Sequence, residues 1–131
     1  MLTTKKRALV LENTPELQEF WRKSLEDRMV DIRPASSITE FVTLCSRYGN
    51  AFDAIVIGNS KYGDGDIEQA IASLRKRDFT NPILCCTADR AALRRQLEAG
   101  GPNTCAAAKA TVPEAIIGVL GLSRRTAPAA A

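Results

Sequence analysis

The sequence predicts an α/β fold in which a parallel β-sheet is covered by helices on both faces. Short apolar runs alternate with longer amphipathic segments five times along the chain, and this alternation is typical of parallel strands joined by helices. The strand-like runs are continuously apolar, as expected of strands that are buried on both sides. With 131 residues, the chain has the length of one domain.

The first strand and the first helix have clear boundaries. An apolar run at 8–11 follows three basic residues and ends at Glu12 and Asn13. Thr14 is a preferred N-cap residue and Pro15 suits the first helical position, so the pair predicts the start of a helix. Helical spacing predicts the apolar face of this helix, which consists of Leu17, Phe20, Trp21, Leu25 and Met29.

The second strand is predicted at 30–33, and Pro34 is expected to end it. Ser36 and Ser37 are candidate caps for a second helix, and Gly49 and Asn50 are typical residues for its C-terminal end. The apolar face of this helix is predicted to contain Ile38, Phe41, Val42, Leu44 and Cys45.

The next two units follow the same order. The third strand at 52–57 leads into a glycine-rich polar loop at 58–65, and Asp66 is the predicted cap of a third helix. Asn81 and Pro82 precede a fourth strand at 83–87. A helix rich in alanine and arginine is predicted from Asp89 to about Ala99, and residues 100–103 break it.

A fifth strand at 104–109 and a last helix at 112–122 complete the pattern. The strand has the weakest signal because alanine is a poor strand former, and Pro113 suits the first turn of the helix. Residues 1–122 are therefore predicted to form one domain. The segment 123–131 is basic and rich in proline and alanine, which predicts a disordered tail or the start of a linker.

Composition and charge exclude several classes of function. The net charge is only +3, and short basic clusters at 5–7, 75–77, 94–95 and 124–125 are interpreted as solvated helix ends rather than as a nucleic-acid interface. No apolar run approaches the ~20 residues that span a bilayer, and the N-terminus does not resemble a secretory signal. We therefore expect a cytoplasmic protein without membrane contact.

The rare residue types argue against catalysis and cofactors. The chain has no histidine, so histidine-based triads are excluded and a zinc site would need an unusual ligand set. Cys45, Cys85, Cys86 and Cys105 form no C-x-x-C pair and are interpreted as small buried hydrophobic residues. Adjacent Cys85 and Cys86 should point to opposite faces of a strand. We expect neither an enzyme nor a bound cofactor.

Function is expected at one edge of the predicted sheet. In parallel α/β sheets, working sites lie at the carboxyl ends of the strands. In this chain those positions are occupied by Glu12-Asn13, by Gly58 and its loop, by Thr87 and by Lys109.

These positions are similar to those of the receiver domains of bacterial response regulators. Glu12-Asn13 stands where the family has an acidic pair, Thr87-Ala88 where it has Thr or Ser followed by Ala, and Lys109, 22 residues after Thr87, where it has a lysine. The resemblance covers about 7–122. It implies a flavodoxin-like (βα)5 three-layer sandwich with parallel strand order 2-1-3-4-5.

The chain departs from the family at the residues that carry its chemistry. Gly58 stands where the family has its phosphate-accepting aspartate, and Ala106 stands where it has an aromatic residue. Gly58 removes the carboxylate nucleophile that phosphoryl transfer needs. Because Mg²⁺ sites usually rely on carboxylates, Glu12 alone would give at most weak Mg²⁺ binding, and we predict no metal.

The remaining family positions then take structural roles. Lys109 is expected to pair with Glu12, and Thr87 to cap the next helix or to form a hydrogen bond with a nearby backbone group. Ala106 removes the family's aromatic switch, so we predict one dominant conformation.

The favoured interpretation is a degenerate receiver-like signalling module that acts through protein–protein contact. The resemblance implies an interaction face built from the fourth helix, the fifth strand and the fifth helix, with Arg90, Arg94, Arg95 and Ala106 as candidate residues. The partner would be a signalling protein, an output domain or a second copy of the chain. Nucleic-acid binding through this domain is not expected.

Two alternatives remain open from the sequence. The small-residue loop around Gly58 and Gly63 is a candidate site for a small molecule or nucleotide, although it contains no established nucleotide motif. A receiver phosphorylated at a noncanonical residue is the other alternative, with Asp64 as the candidate acceptor. Asp66 is interpreted as a helix cap, and Asp53 lies near the start of its strand, at the wrong edge of the sheet.

Overall fold

The computed structural model describes residues 5–122, so the predicted tail at 123–131 lies outside the described residues. Five parallel strands form one sheet in the order β2-β1-β3-β4-β5, which confirms the predicted fold class and topology. The strands are β1 (Lys6–Leu11), β2 (Val30–Ala35), β3 (Ala54–Ile57), β4 (Ile83–Cys85) and β5 (Thr104–Ala106).

Five α-helices connect and cover the strands. They are α1 (Pro15–Leu25), α2 (Ile38–Tyr48), α3 (Ile67–Lys76), α4 (Arg90–Gly100) and α5 (Val112–Val119), with 3₁₀ turns at Glu26–Arg28, Gly49–Ala51 and Lys109–Thr111. One apolar cluster joins the sheet to α2, α3 and α4, and a second joins the other sheet face to α1 and α5. The molecule is thus a three-layer sandwich. Within 5–122, none of the helices is long and apolar enough to cross a membrane.

Three helices begin with the side-chain caps that their sequences favour. Ser37 accepts a hydrogen bond from the Glu40 N–H at the start of α2, Asp66 accepts two at the start of α3, and Asp89 accepts one from Ala92 at the start of α4. Thr14 holds the N-cap position of α1 without a side-chain cap bond. Its backbone N–H donates instead to the Glu12 carboxylate at 2.9 Å.

The prediction that Pro34 ends the second strand is wrong. Pro34 lies inside β2 and pairs with Val10 of β1. Because β2 is an edge strand with a partner on one side only, the missing N–H of proline is tolerated there.

Three residues predicted on buried helix faces are exposed. Phe20 is adjacent to the fully buried Trp21, and neighbours on a helix point about 100° apart, so only one of the two faces the core. Met29 follows the 3₁₀ turn with φ 61° and leaves the helix axis, while Val42 lies on the outer side of α2.

The last two strands are shorter than predicted. β4 ends at Cys85 instead of residue 87, and β5 ends at Ala106 instead of residue 109. β5 is an edge strand with only β4 as a neighbour. Its last hydrogen bond to β4 runs from the Ala107 N–H to the Cys85 carbonyl at 3.0 Å, and the chain then turns away from the sheet. Lys109 consequently begins a 3₁₀ turn rather than ending a strand.

The cysteine prediction is confirmed in part. Cys85 and Cys86 are buried and belong to the two opposite apolar clusters, as expected for neighbours on a strand. Burial raises the pKa of both thiols, and that of Cys45, to about 12. Cys105 is exposed, since it lies on the edge strand β5.

Arg75 is not a solvated helix end. Its guanidinium donates to the carbonyl oxygens of Phe79 and Asn81, of Gly100 and of Asn103, at 2.7–2.9 Å. One side chain at the end of α3 therefore fixes the backbone around β4, α4 and β5.

Candidate functional site

The carboxyl edge of the sheet brings four of the five predicted site residues into one contact network. Glu12, Asn13 and Lys109 are joined through Asn59, and Gly58 lies directly against Glu12. Thr87 lies on the same edge, but its hydroxyl accepts a local bond from the Asp89 N–H at 3.2 Å. One of the two contacts predicted for Thr87, a bond with nearby backbone, is therefore present.

Glu12 is a carboxylate with no solvent exposure. Its Oε2 accepts bonds from the Thr14 N–H at 2.9 Å and from Asn59 Nδ2 at 3.2 Å, while its Oε1 has no hydrogen-bond partner. A buried charge of this kind needs a counter-charge to be stable.

Lys109 supplies that charge, which confirms the predicted pairing. Its Nζ lies 3.7 Å from Glu12 Oε1, and its side chain is one-third exposed at 33%. The ammonium also donates to Asn59 Oδ1 at 2.6 Å. The indole N–H of Trp21 donates to the Lys109 carbonyl at 3.0 Å and anchors the turn from the α1 side.

Gly58 leaves no room for a side chain in this arrangement. A Cβ at position 58 would overlap Glu12 Oε1 and would lie 3.0 Å from both the Glu12 carboxyl carbon and the Leu11 carbonyl oxygen. The Glu12 carboxylate therefore occupies the volume in which a side chain at 58 would begin. An aspartate at this position would require Glu12 to move.

Asn59 is the central residue of the network, and the sequence reasoning did not single it out. Its side-chain amide donates to Glu12 and to Asn13 Oδ1, and its Oδ1 accepts from Lys109. Its backbone N–H donates to the Tyr62 hydroxyl at 2.9 Å. The available signal was its position, directly after β3 and Gly58.

Two further residues connect the network to its surroundings. Tyr62 donates its hydroxyl to the Leu11 carbonyl at 3.2 Å, and burial raises the pKa of this tyrosine. Gln96, fully buried on α4, donates to the Asn59 carbonyl at 3.0 Å. The network thus extends from β1 through the loop after β3 to α4.

The other aspartates are engaged elsewhere. Asp64 accepts from the N–H groups of Ile38 and Thr39 at 3.0 and 2.8 Å and so caps α2. Hydrogen bonds from the side chain and backbone of Thr39, and from the backbone of Ile38, lower the pKa of Asp64 to about 2. Asp53 accepts from the Arg7 N–H at 2.8 Å at the amino edge of the sheet, which confirms its predicted placement.

The donor set at this edge does not fit Mg²⁺. Mg²⁺ prefers several oxygen ligands in octahedral geometry, but the Glu12, Asn13 and Asn59 oxygens already receive hydrogen bonds or face the Lys109 ammonium. Over residues 5–122, no group of three or more Cys, Asp or Glu side chains is arranged to hold a metal.

The predicted interaction residues are not all on one side of α4. Arg90, Arg94 and Arg95 are all exposed, but Arg95 lies beside α3, with its Nε 3.8 Å from Glu68 Oε2. Ala106 is exposed on β5 and lines an open hollow between β5 and α4.

Comparison with solved structures shows what this fold is similar to. The chain matches the non-phosphorylated HemR receiver domain of Leptospira biflexa with 24% identity and a TM-score of 0.72, over 94% of this chain and 100% of that one. It matches a CheY-like response regulator receiver domain of Methanospirillum hungatei JF-1 with 16% identity and a TM-score of 0.73, over 90% and 95%. A receiver domain from Clostridium thermocellum matches with 15% identity and a TM-score of 0.72, over 88% and 94%.

These neighbours define the class of fold: the chain has the architecture of response-regulator receiver domains. No protein-family model matches the sequence, and no curated protein matches it.

Proposed function

We propose that this chain is a receiver-like signalling module of a two-component or phosphorelay system, not phosphorylated at the usual position, that acts by binding a protein partner. The receiver fold supports the signalling role. The observation that carries the rest is the Glu12 carboxylate lying where a side chain at 58 would begin.

The chemistry of the site supports this proposal. Phosphoryl transfer needs an accessible nucleophile and cations that neutralise developing charge. Glu12 is fully buried and Gly58 has no side chain, so neither supplies that nucleophile. Lys109, the cation nearest to Glu12, is held by Glu12 and Asn59. The network stabilises the sheet edge and performs no catalytic step, so the proposed module is not an enzyme.

The alternatives have less support. An acceptor role for Asp64 would compete with the cap of α2, since each of its carboxylate oxygens accepts a backbone bond there. In the loop after β3, the polar groups of Asn59 and the Tyr62 hydroxyl are engaged within the chain. A nucleotide at this loop would have to replace those bonds.

We place the module in the cytoplasm. The four cysteines are free thiols, which fits a reducing compartment. The partner we propose is a signalling protein or an output domain, with a second copy of the chain as a further candidate.

The direct test is an amide NMR titration with Mg²⁺ and beryllofluoride, a phosphoryl mimic, followed by acetyl phosphate and intact-mass measurement. We expect no saturable shifts at Glu12, Gly58 and Thr87 and no added phosphate mass. A phosphoryl adduct, or saturable shifts at this edge, would refute the proposal. A receiver domain with an intact aspartate, treated in parallel, verifies that the reagents are active.

A further inference from the structure

One lateral edge of the sheet is open along β2. This strand is the last on its side of the sheet and pairs only with β1, so no other strand of residues 5–122 bonds its outer side. Buried and exposed residues alternate over 30–33, and Pro34 beyond them is exposed. An open edge of this kind presents N–H and C=O groups that can pair with a further strand.

The outward backbone groups of β2 can be identified from its bonds to β1. N–H groups at the two ends of β1 donate to the carbonyls of Met29 and Ala35 at 2.9 and 3.0 Å, so the carbonyls of odd-numbered residues face β1. Backbone groups of alternate residues point to opposite sides of a strand. The groups that face outwards are therefore those of Val30, Ile32 and Pro34.

Two exposed side chains of opposite charge lie on one face of this edge strand. Asp31 and Arg33 are two positions apart and exposed, and neither has an ion-pair partner within 4 Å among residues 5–122. Together with Arg7 of β1 and the rings of Tyr48 and Phe52, they line an open hollow of about 360 Å³. The hollow leaves these charges accessible to a neighbouring molecule.

We propose that two copies of the chain associate through β2, which forms an antiparallel pair centred on Ile32 and joins the two sheets. Ile32 of each copy exchanges both backbone bonds with Ile32 of the other, and the Val30 N–H donates to the Pro34 carbonyl of the other copy. Asp31 of each copy then lies opposite Arg33 of the other. This inference rests on the proposed function in one respect: it names a second copy as the partner of that module.

The charges of β2 favour this pairing over the other arrangements. Residues opposite each other without mutual backbone bonds lie about 4.5 Å apart between Cα atoms, and opposite charges at such positions are stabilising. A parallel pair in register, or an antiparallel pair centred on Asp31 or on Arg33, would place like charges opposite each other. The strand is therefore complementary to itself about a two-fold axis at Ile32, and such a contact closes as a dimer.

Pro34 is compatible with the proposed pair. Charged residues and proline often prevent pairing at sheet edges. In this arrangement, however, the proline lacks only the N–H that would donate to the Val30 carbonyl of the other copy, while its own carbonyl still accepts a bond. The proline also limits the pair to the short segment 30–34.

The first test follows self-association and amide exchange of the full chain. Sedimentation velocity should show a monomer–dimer equilibrium in which the dimer fraction rises with protein concentration. Over the same concentrations, NMR should show slower hydrogen exchange at the amides of Val30 and Ile32, because both N–H groups become bonded in the dimer. The amides of Asp31 and Arg33 already face β1, so their exchange should not change.

Charge exchange assigns the contact to β2. Asp31→Arg and Arg33→Asp each place like charges opposite one another, so each should weaken self-association at least about tenfold. A mixture of these two variants restores opposite charges at both positions and should form a heterodimer about as strongly as the natural chain forms its dimer. The matched variants Arg47→Asp and Glu98→Arg, at exposed positions on other elements, should leave association unchanged. Wild-type-like spectra of each separate variant verify that it folds.

Three outcomes would overturn the inference: a monomer at every concentration up to those used for NMR, a dimer without slower exchange at Val30 and Ile32, or a mixture of the charge variants that stays monomeric. None of them depends on phosphorylation. If one of them occurs while acetyl phosphate still adds no mass, the unphosphorylated module stands and the β2 dimer does not. If a phosphoryl adduct forms while the charge variants restore each other, the proposed function fails and the dimer stands.

Discussion

The carboxylate of Glu12 fills the space in which a side chain at position 58 would lie. Glu12 extends its carboxylate into the space beside the backbone of 58 and holds it there with bonds from Thr14 and Asn59. The burial of the Glu12 carboxylate therefore depends on the absence of a side chain at 58. Introducing an aspartate at 58 alone would create an overlap with the Glu12 carboxylate.

We predict that Gly58→Ala lowers the free energy of unfolding by about 1–3 kcal/mol, because the new methyl group overlaps Glu12 Oε1. In a Glu12→Ala background most of this cost should disappear, since the overlapping group is gone. Urea unfolding of the four proteins measures the coupling.

The matched control is Gly63→Ala, because a Cβ at 63 would meet nothing within 4 Å. Equal costs for the 58 and 63 substitutions, or a strictly additive double variant, would contradict the shared-volume explanation.

Asn59 offers a second prediction at this scale. Asn59→Ala removes the bonds that its side chain makes to Glu12, Asn13 and Lys109. The buried Glu12 carboxylate then loses a donor, so we expect a loss of about 1–3 kcal/mol in unfolding free energy. The exposed Asn50→Ala is the control, and a change no larger than the control's in chemical denaturation would count against a central role for Asn59.

Among the secondary-structure elements, α2 and α3 are linked through the loop after β3. Ser37 and Asp64 both bind N–H groups in the first turn of α2, so the helix start is capped from its own chain and from the loop. A negative charge at a helix N-terminus is favourable. The far end of the loop that follows Gly58 is therefore held in place by the bonds from Asp64 to the start of α2.

This cap gives a pH-dependent prediction. The pKa of Asp64 is about 2 in the folded protein, against an ordinary value of 3.8. A lowered folded pKa means that its stabilising effect is complete above about pH 4 and is lost as the pH falls towards 2. Asp64→Asn should therefore flatten the stability profile between pH 4 and 2. Urea midpoints measured across that window would show parallel curves if Asp64 did not act in this way.

A further prediction concerns Arg75, which holds the backbone around β4, α4 and β5. Lysine cannot reproduce the planar set of donors that reaches four carbonyl oxygens, so Arg75→Lys should lower the unfolding free energy by about 1–3 kcal/mol. The exposed Arg47→Lys is the comparison. Similar thermal midpoints for both variants would show that the carbonyl contacts are dispensable.

The secondary-structure elements could be predicted where residues close in sequence determine them. The apolar runs predicted the number and order of the strands, although not all of their ends. Ser37, Asp66 and Asp89 marked helix starts because their side-chain oxygens bind N–H groups close in sequence. The failures involve contacts distant in sequence. Pro34 is tolerated only because β2 lies at the sheet edge, and Arg75 looks like any basic residue at a helix end until the strands it reaches are in place.

On the scale of the whole molecule, the same limit applies to the site. The order of the strands brings Glu12, Gly58 and Lys109 to one edge. Strand spacing together with the receiver resemblance predicted this edge for all three, although Lys109 lies in a 3₁₀ turn and not at the end of a strand. The volume shared by Glu12 and Gly58 could not be predicted, because it depends on a side-chain direction. Asn59 and Gln96 were missed for the same reason: a polar residue after a strand or inside a helix has no pattern of its own.

The whole molecule is also predicted to hold one conformation. The hydrogen-bond network joins β1, the loop after β3, α4 and the Lys109 turn, and Ala106 provides no aromatic ring that could alternate between two positions. NMR relaxation dispersion should therefore detect no exchange at Thr87 and Lys109. Two well-populated states at these residues would refute this prediction.

The bond between Trp21 and the Lys109 carbonyl has a practical consequence. The chain has a single tryptophan, it is fully buried, and its indole N–H contacts the turn that carries the Lys109 ammonium. Its ultraviolet emission is thus a built-in optical reporter of this edge of the sheet. Rearrangement of that turn would change the colour or intensity of the emission, so the protein can be followed without a dye, at concentrations far below those that NMR requires.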